Sequence, residues 1–441
     1  MSGQAGFGAR LLRDAHLHLA EHGEELSCVH LQDCAGVEDC LRRVAAAADA
    51  VSGDGAAAED GRWIRATGAR IEAWRERRYP TARELEEAGN GRPVVVVSFD
   101  HHALAVSERV LKLAGIERGT PDPPGGLIER GPDGEPTGVL LEGARELVRR
   151  VQSRVSDEQY AEYVRIAQAD LRRYGFVEVH DMLATPRLAR TLIELERRGE
   201  LELAVDLYAR EEVVEEVRAA AEDCKSGRVR FRGMKIFVDG TLNSRTAWML
   251  EPFADPIPDH PCGTPFFTAE ELDRVMARCA EQKIELAAHA IGDAAVRAVL
   301  DAYERARTSG AAFRCRIEHA EFIDEADIDR FARLGESGVV VASMQPCHLL
   351  TDIEAIRRLT PDRAGRAFPL RELWDSAVRH GVDPAAMILL GSDTPIVSPD
   401  PGDNVQAAVH RRRAGMSAEE AVGVEQALRE EEVRELMGAR R

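Results

Sequence analysis

What most constrains this chain is a recurring pairing. Short apolar segments rich in β-branched residues each run into a polar cluster, with helical periodicity between them. Nine such segments occur: LLRDAHLHL (11–19), VVVVSFD (94–100), FVEVHD (176–181), LELAVDLY (201–208), MKIFVDG (234–240), IELAAHAIGD (284–293), RCRIEHAEF (314–322), VVVASMQP (339–346) and MILLGSD (387–393). Continuous apolar runs of this length suit strands covered on both faces. The intervening stretches carry helix start and stop signals. Ser156 to Gln159 and Thr268 to Glu271 read as capping boxes, and Gly175 as a stop. Cys279 continues the apolar stripe of Leu272, Val275 and Met276, so packing is its expected role. From about residue 156 onward strand and helix alternate, the pattern of parallel βα units.

Eight strands close a β/α barrel, so nine is one too many. The odd segment, VVVVSFD, lies in a stretch that breaks the alternation and holds AAAADAVSGDGAAAEDG, Trp63, Trp74, TPDPPGG and RGPDGEPTG. The expected architecture is α/β: a (β/α)8 TIM-type barrel with an insertion after strand 1. Residues 1–24 carry the first strand and its HxH motif, 25–155 form the inserted subdomain, and 156–441 complete the barrel and add C-terminal helices.

Charge narrows the partners. The chain carries 58 Lys plus Arg against 77 Asp plus Glu, a formal net charge of −19. Such a field repels phosphate backbones and anionic membranes, so neither nucleic acid nor membrane is an expected partner. No apolar run approaches the roughly 18 residues of a membrane span, and MSGQAGFGARLLRD lacks a signal peptide's apolar core. A cytoplasmic location is expected. Eight cysteines without a CxxC pair read as reduced thiols.

The strand ends carry the chemistry. His16 and His18, Lys235, His289, His319 and Asp393 all close barrel strands, on the face where such barrels place their sites. His16 and His18 are two apart, so both project from one strand face and can grip one ion. HxH alone is a weak signal. The ordered series is stronger: only 13 histidines occur in the chain, and four of them sit at strand ends beside the Asp of GSD. Further candidates are His180 with Asp181, Asp239 with Arg245 in DGTLNSRT, His348, and His101 with His102 in the insertion. Glu318 adjoins His319, and strand alternation points it at the helices.

With these motifs in order, the sequence resembles the amidohydrolase superfamily, specifically amidohydrolase family 3, the YtcJ-like branch of metal-dependent hydrolases. The matching stretches are DAHLHL, ARIEAWRERRYPT, FDHHALAVSERVLKLAGI, GEPTGVLLEGA, MKIFVDGTLNSRTAWMLEPFAD, AAHAIGDAAVRAVLDAYE, RIEHAEF, SMQPCHLLTD and GSDTPI. The resemblance implies two divalent metal ions. His16 and His18 would bind the first, His289 and His319 the second, and Asp393 the first while also handling protons. A protonated lysine would be repelled by a cation; the resemblance makes Lys235 a CO2-derived carbamate that bridges both ions. Zinc best suits imidazole and carboxylate donors.

The implied activity is hydrolysis of a C–N bond other than a peptide bond, in an amide or an N-acyl or N-formyl compound. Attack is by a metal-bound hydroxide, with Asp393 acting as base and then acid. Arg245, His180, His348 and His102 are the expected contacts to a small-molecule substrate. The same site would also serve an esterase or lactonase, and a non-catalytic metal-binding regulatory relative is the alternative of another class. Family members flank the barrel with a small β-sandwich. Here 15 residues precede His16 and the tail after about 415 reads as charged helix, so a missing sandwich is expected, with either a homodimer or a barrel face protected by charged residues.

Overall fold

Residues 11–51, 63–98, 103–123, 125–151, 155–334 and 340–439 are described by a computed structural model. Chain contacts divide it into two compact units, residues 1–22 with 164–441, and residues 23–163. The second boundary falls inside the helix Asp157–Arg173, where the sequence placed it just before that helix.

The larger unit is the barrel. Its strands are β1 (Leu12–Leu17), β2 (Phe176–Asp181), β3 (Ala204–Arg210), β4 (Val229–Phe237), β5 (Glu285–Ala290), β6 (Cys315–His319), β7 (Val340–Met344) and β8 (Ile388–Leu390). They pair in chain order, every pair parallel. These are the eight segments read as barrel strands. The seam between β8 and β1 closes just beyond the last strand. Asp393 N–H donates to the His16 carbonyl at 2.7 Å, and His18 N–H donates to the Thr394 carbonyl at 2.9 Å. Gly391 permits this approach, because a Cβ there would lie 2.5 Å from the His16 nitrogen. Asp14 Oδ1 stitches the same seam by accepting from His16 N–H (3.1 Å) and Ser392 N–H (3.0 Å).

Helices alternate with the strands: α1 (Pro186–Arg197), α2 (Val214–Ala221), α3 (Ala269–Gln282), α4 (Asp293–Thr308), α5 (Glu325–Leu334), α6 (His348–Leu359) and α7 (Leu370–Arg379). The Thr268–Glu271 capping box opens α3, which buries Leu272, Val275, Met276 and Cys279 as the stripe requires. At Ser156 the hydroxyl accepts from Gln159 N–H (3.2 Å), while the Gln159 amide donates to the Tyr163 hydroxyl (3.1 Å). The tail is helical only in part, as two short 3-10 turns and Glu430–Leu436. All eight cysteines are free thiols. No helix among the described residues is long and apolar enough to cross a membrane.

In the smaller unit a six-stranded sheet runs in the order Val29–His30, Ile64–Ala69, Val94–Ser98, Ala103–Val106, Pro136–Glu142, Gly126–Arg130. Its central strand explains the VVVV run. Val94 and Val96 join Leu31, Val44, Ile64 and Trp74 on one face, while Val95 joins Leu104, Val106 and Ile128 on the other. Both faces are covered, so alternation disappears from the sequence.

Candidate metal centre

The strand ends open on a cavity of about 560 Å³, whose lining includes His16, His18, Lys235, His289, His319 and Asp393. All six metal residues read from the sequence therefore meet in one place. Five are buried and His18 is half-buried.

The first donor group is His16, His18 and Asp393. Asp393 Oδ1 lies 3.1 Å from His18 Nε2 and 3.5 Å from His16 Nε2. His16 is oriented from behind: its Nδ1 lies 2.7 Å from Glu318 Oε2. A carboxylate only accepts, so the proton sits on Nδ1 and the Nε2 lone pair faces the cavity. Glu318 is itself clamped by Arg316, whose Nε donates to Oε1 at 2.7 Å. Arg316 also donates to the Ala15 carbonyl (2.6 Å), Ser343 Oγ (2.9 Å) and His180 Nδ1 (2.7 Å).

Glu318 thus corrects the reading that pointed it at the helices. Strand alternation fails because His319 has φ +72°, a region that side-chain-bearing residues rarely adopt. The turn brings the His319 ring to 4.8 Å from His16 and 4.4 Å from His289, while Glu318 keeps its inward direction. Asp393 is likewise left-handed, at φ +64°.

The second donor group is His319, Glu321 and His348. Sequence reasoning passed over Glu321, although its spacing two residues after His319 was a usable signal. His348 Nδ1 lies 3.6 Å from Glu321 Oε1 and Nε2 lies 3.5 Å from Asp393 Oδ2. His289 stands beside this group. Its Nε2 donates to the Gly240 carbonyl at 3.1 Å, which leaves the Nδ1 lone pair free of that bond.

Whether these residues fit a cation is answered by the atoms they leave unsatisfied. Lys235 Nζ, His319 Nδ1, His348 Nε2 and Glu321 Oε2 are buried without a hydrogen-bond partner, yet native proteins leave few such atoms orphaned. Protonation fits as well. Burial, reinforced by Lys235, lowers His16 to about 4 and His289 to about 3, so both rings are neutral at pH 7. Burial alone would raise Asp393, but the neighbouring imidazoles of His16, His18 and His348 hold it well below the usual carboxylate range. Burial lowers Lys235 to about 8, with Glu318 and Asp393 opposing the change. Neutral imidazoles beside ionised carboxylates are the forms that coordinate a divalent ion.

These depressed values predict an acid-labile metal-free protein. A histidine whose folded pKa is depressed takes up protons more readily when unfolded. Stability is then intact above the unfolded value of 6.5 and lost as pH falls towards 4 and 3. Each tenfold difference in proton affinity between the folded and unfolded states is worth about 1.4 kcal/mol. The melting temperature after chelation should fall between pH 6.5 and 4, and His289→Asn should flatten that fall. An unchanged slope in the variant would contradict the assignment.

Other expected contacts lie elsewhere. His180 is buried, with Nδ1 on Arg316 and Nε2 3.3 Å from Glu178, and is absent from the cavity lining. The grouping of Glu178, His180 and Asp206 is already neutralised by Arg230 and Arg232. Arg245 is absent from the cavity lining and pairs with Asp255 at 3.1 Å. Asp239 is spent on the N–H groups of Trp248, Ile291 and Gly292. His348 does line the cavity. His101 and His102 lie outside the described residues.

The protein YtcJ of Bacillus subtilis (strain 168) is 31% identical over 419 residues, covering 90% of this chain and 72% of that protein. The N-substituted formamide deformylase of Arthrobacter pascens is 28% identical, covering 84% and 68%. The crystal structure of an uncharacterised metal-dependent hydrolase from Pyrococcus horikoshii OT3 superposes with a TM-score of 0.72 at 27% identity, over 96% of this chain and 78% of that one. The profile of the amidohydrolase family matches residues 11–436, and the chain belongs to that family.

Proposed function

We propose that the protein hydrolyses a C–N bond in an amide or an N-acyl or N-formyl compound, using two divalent ions, zinc foremost. The observation that carries this reading is the His16, His18 and Asp393 donor group at the barrel mouth, with the His289 and His319 rings 4.4 Å apart and the unpartnered Lys235 amine lining the same cavity. His16, His18 and Asp393 would hold one ion and His289 with His319 the other. Lys235 would bridge them as a carbamate. A pKa of about 8 leaves roughly a tenth of the amine unprotonated at pH 7. That fraction can add to CO2, releasing one proton and leaving an anion with two oxygens. Bound divalent ions acidify a water and polarise a carbonyl.

The chain's own residues supply the rest. Asp393 takes the proton of the attacking water and passes it to the leaving nitrogen. His348 sits against its second oxygen at 3.5 Å. Although burial opposes it, Glu321 and Asp393 raise the pKa of His348, so a proton on its ring is balanced by those two carboxylates, 3.6 and 3.5 Å away. The named activity of the Arthrobacter pascens relative supports the N-formyl choice.

Purified protein should contain about two transition-metal ions per chain, by the ligand count. Chelation should abolish hydrolysis of N-formyl and N-acyl compounds; faster turnover of matched esters would move the assignment to an esterase. Lys235→Ala should lower metal occupancy, with partial recovery in added acetate or propionate. Unchanged occupancy would remove the carbamate.

A further inference from the structure

Beyond the metal residues, the cavity wall has a consistent character. Leu183, Phe237, Leu242, Ile291, Ile396 and Val397 supply its apolar surface. Apart from the histidines, Lys235 and Asp393, its ionisable members are the two carboxyl groups of Glu321 and Asp352. Asp352 is buried and accepts a hydrogen bond from Asn243 Nδ2 at 2.7 Å, so its carboxylate is fixed in place. Glu321 Oε2 is buried without a partner. Among the described residues Lys235, on the metal-binding floor, is the only Lys or Arg in the lining. Arg245, the cation expected to serve from the loop after β4, is held by Asp255 outside the lining.

We infer from this wall that the substrate carries an apolar group and no carboxylate, being neutral or cationic in the part remote from the scissile bond. The inference rests on the hydrolase reading for which bond is cut, but not for what the wall accepts. Three features carry it. Proteins hold substrate carboxylates with paired Arg or Lys donors, and this wall has none. A carboxylate seated beside the fixed Asp352 carboxylate would meet like charge in a partly desolvated space, which is costly. At longer range the net charge of −19 repels anions before they arrive. The volume of about 560 Å³ suits a single small molecule. Ile396 is 68% exposed at the rim, an apolar surface available to the substrate's far end.

Three probes of nearly equal size test this: N-benzylacetamide, 4-(acetamidomethyl)benzylammonium and 4-(acetamidomethyl)benzoate. Their dissociation constants should be measured by calorimetry on the protein with its metals. The neutral and cationic probes should bind at least about ten-fold more tightly than the benzoate, a difference of about 1.4 kcal/mol. Equal or tighter binding of the benzoate, or no binding by any probe, overturns the inference. Ile396→Lys places a cation on the rim at an exposed position and should narrow the gap to about three-fold, by roughly 0.7 kcal/mol. An unchanged gap would count against wall charge as the cause. Binding is read without turnover. Probes that bind in this order but are never hydrolysed sink the hydrolase reading alone, while preferred hydrolysis of the benzoate sinks this inference alone.

Discussion

Replacing Asp393 by Asn should lower kcat by about three orders of magnitude while the protein still folds. The substitution keeps the shape and one acceptor oxygen but removes the charge and the capacity to carry a proton. Backbone contacts at this position survive, because Asp393 N–H donates to the His16 carbonyl through the main chain. The side chain loses more. Its Oδ1 faces His16 and His18, and its Oδ2 faces His348 at 3.5 Å. Without that carboxylate the raised pKa values of His18 and His348 should fall, since burial opposes both and Asp393 contributes to sustaining each. Metal content and kcat measured on the same samples separate two roles. Activity lost at full occupancy marks a proton carrier, whereas a parallel loss of metal and activity marks a ligand alone. A variant within about ten-fold of the parent would remove Asp393 from the chemistry.

The barrel was legible for a physical reason. A strand covered on both faces must be apolar throughout, so each left a short run in the sequence, and the polar residue ending it marked the mouth. The same logic isolated VVVV as a foreign strand, sandwiched between two apolar clusters of another sheet. What stayed hidden depended on local backbone geometry or on partners distant in sequence. Glu318 was misread because alternation was carried through His319, and nothing in RIEHAEF announces φ +72°. Arg245 looked like a substrate contact because its loop follows β4, but its partner Asp255 lies beyond any periodic pattern. His180 sits one residue from the end of β2, yet its Nδ1 is on buried Arg316. Sequence spacing locates a residue along a strand, not the partner that has already claimed it.

Glu318 also yields the second large effect. It is fully buried between a cation and a prospective metal ligand, with Oε1 on Arg316 Nε and Oε2 on His16 Nδ1, each at 2.7 Å. Removing one member of a buried ion pair typically costs about 3–5 kcal/mol, because the other charge is left uncompensated. Against a total stability of roughly 5–15 kcal/mol, Glu318→Ala should melt far below the parent. Glu318→Gln is the milder change: its amide oxygen can serve one partner, but the negative charge is gone. Metal affinity should then drop about 10–100-fold, as when other carboxylates behind a metal-bound histidine are lost. Metal competition titrations on folded Glu318→Gln read that loss directly. A third variant keeps the argument open to refutation. Arg316→Met with Glu318→Leu removes both charges together, and should recover stability relative to Glu318→Ala while leaving metal affinity low, because nothing then fixes the proton on His16 Nδ1. Affinity restored along with stability would show that Glu318 only balances Arg316 and does not orient His16.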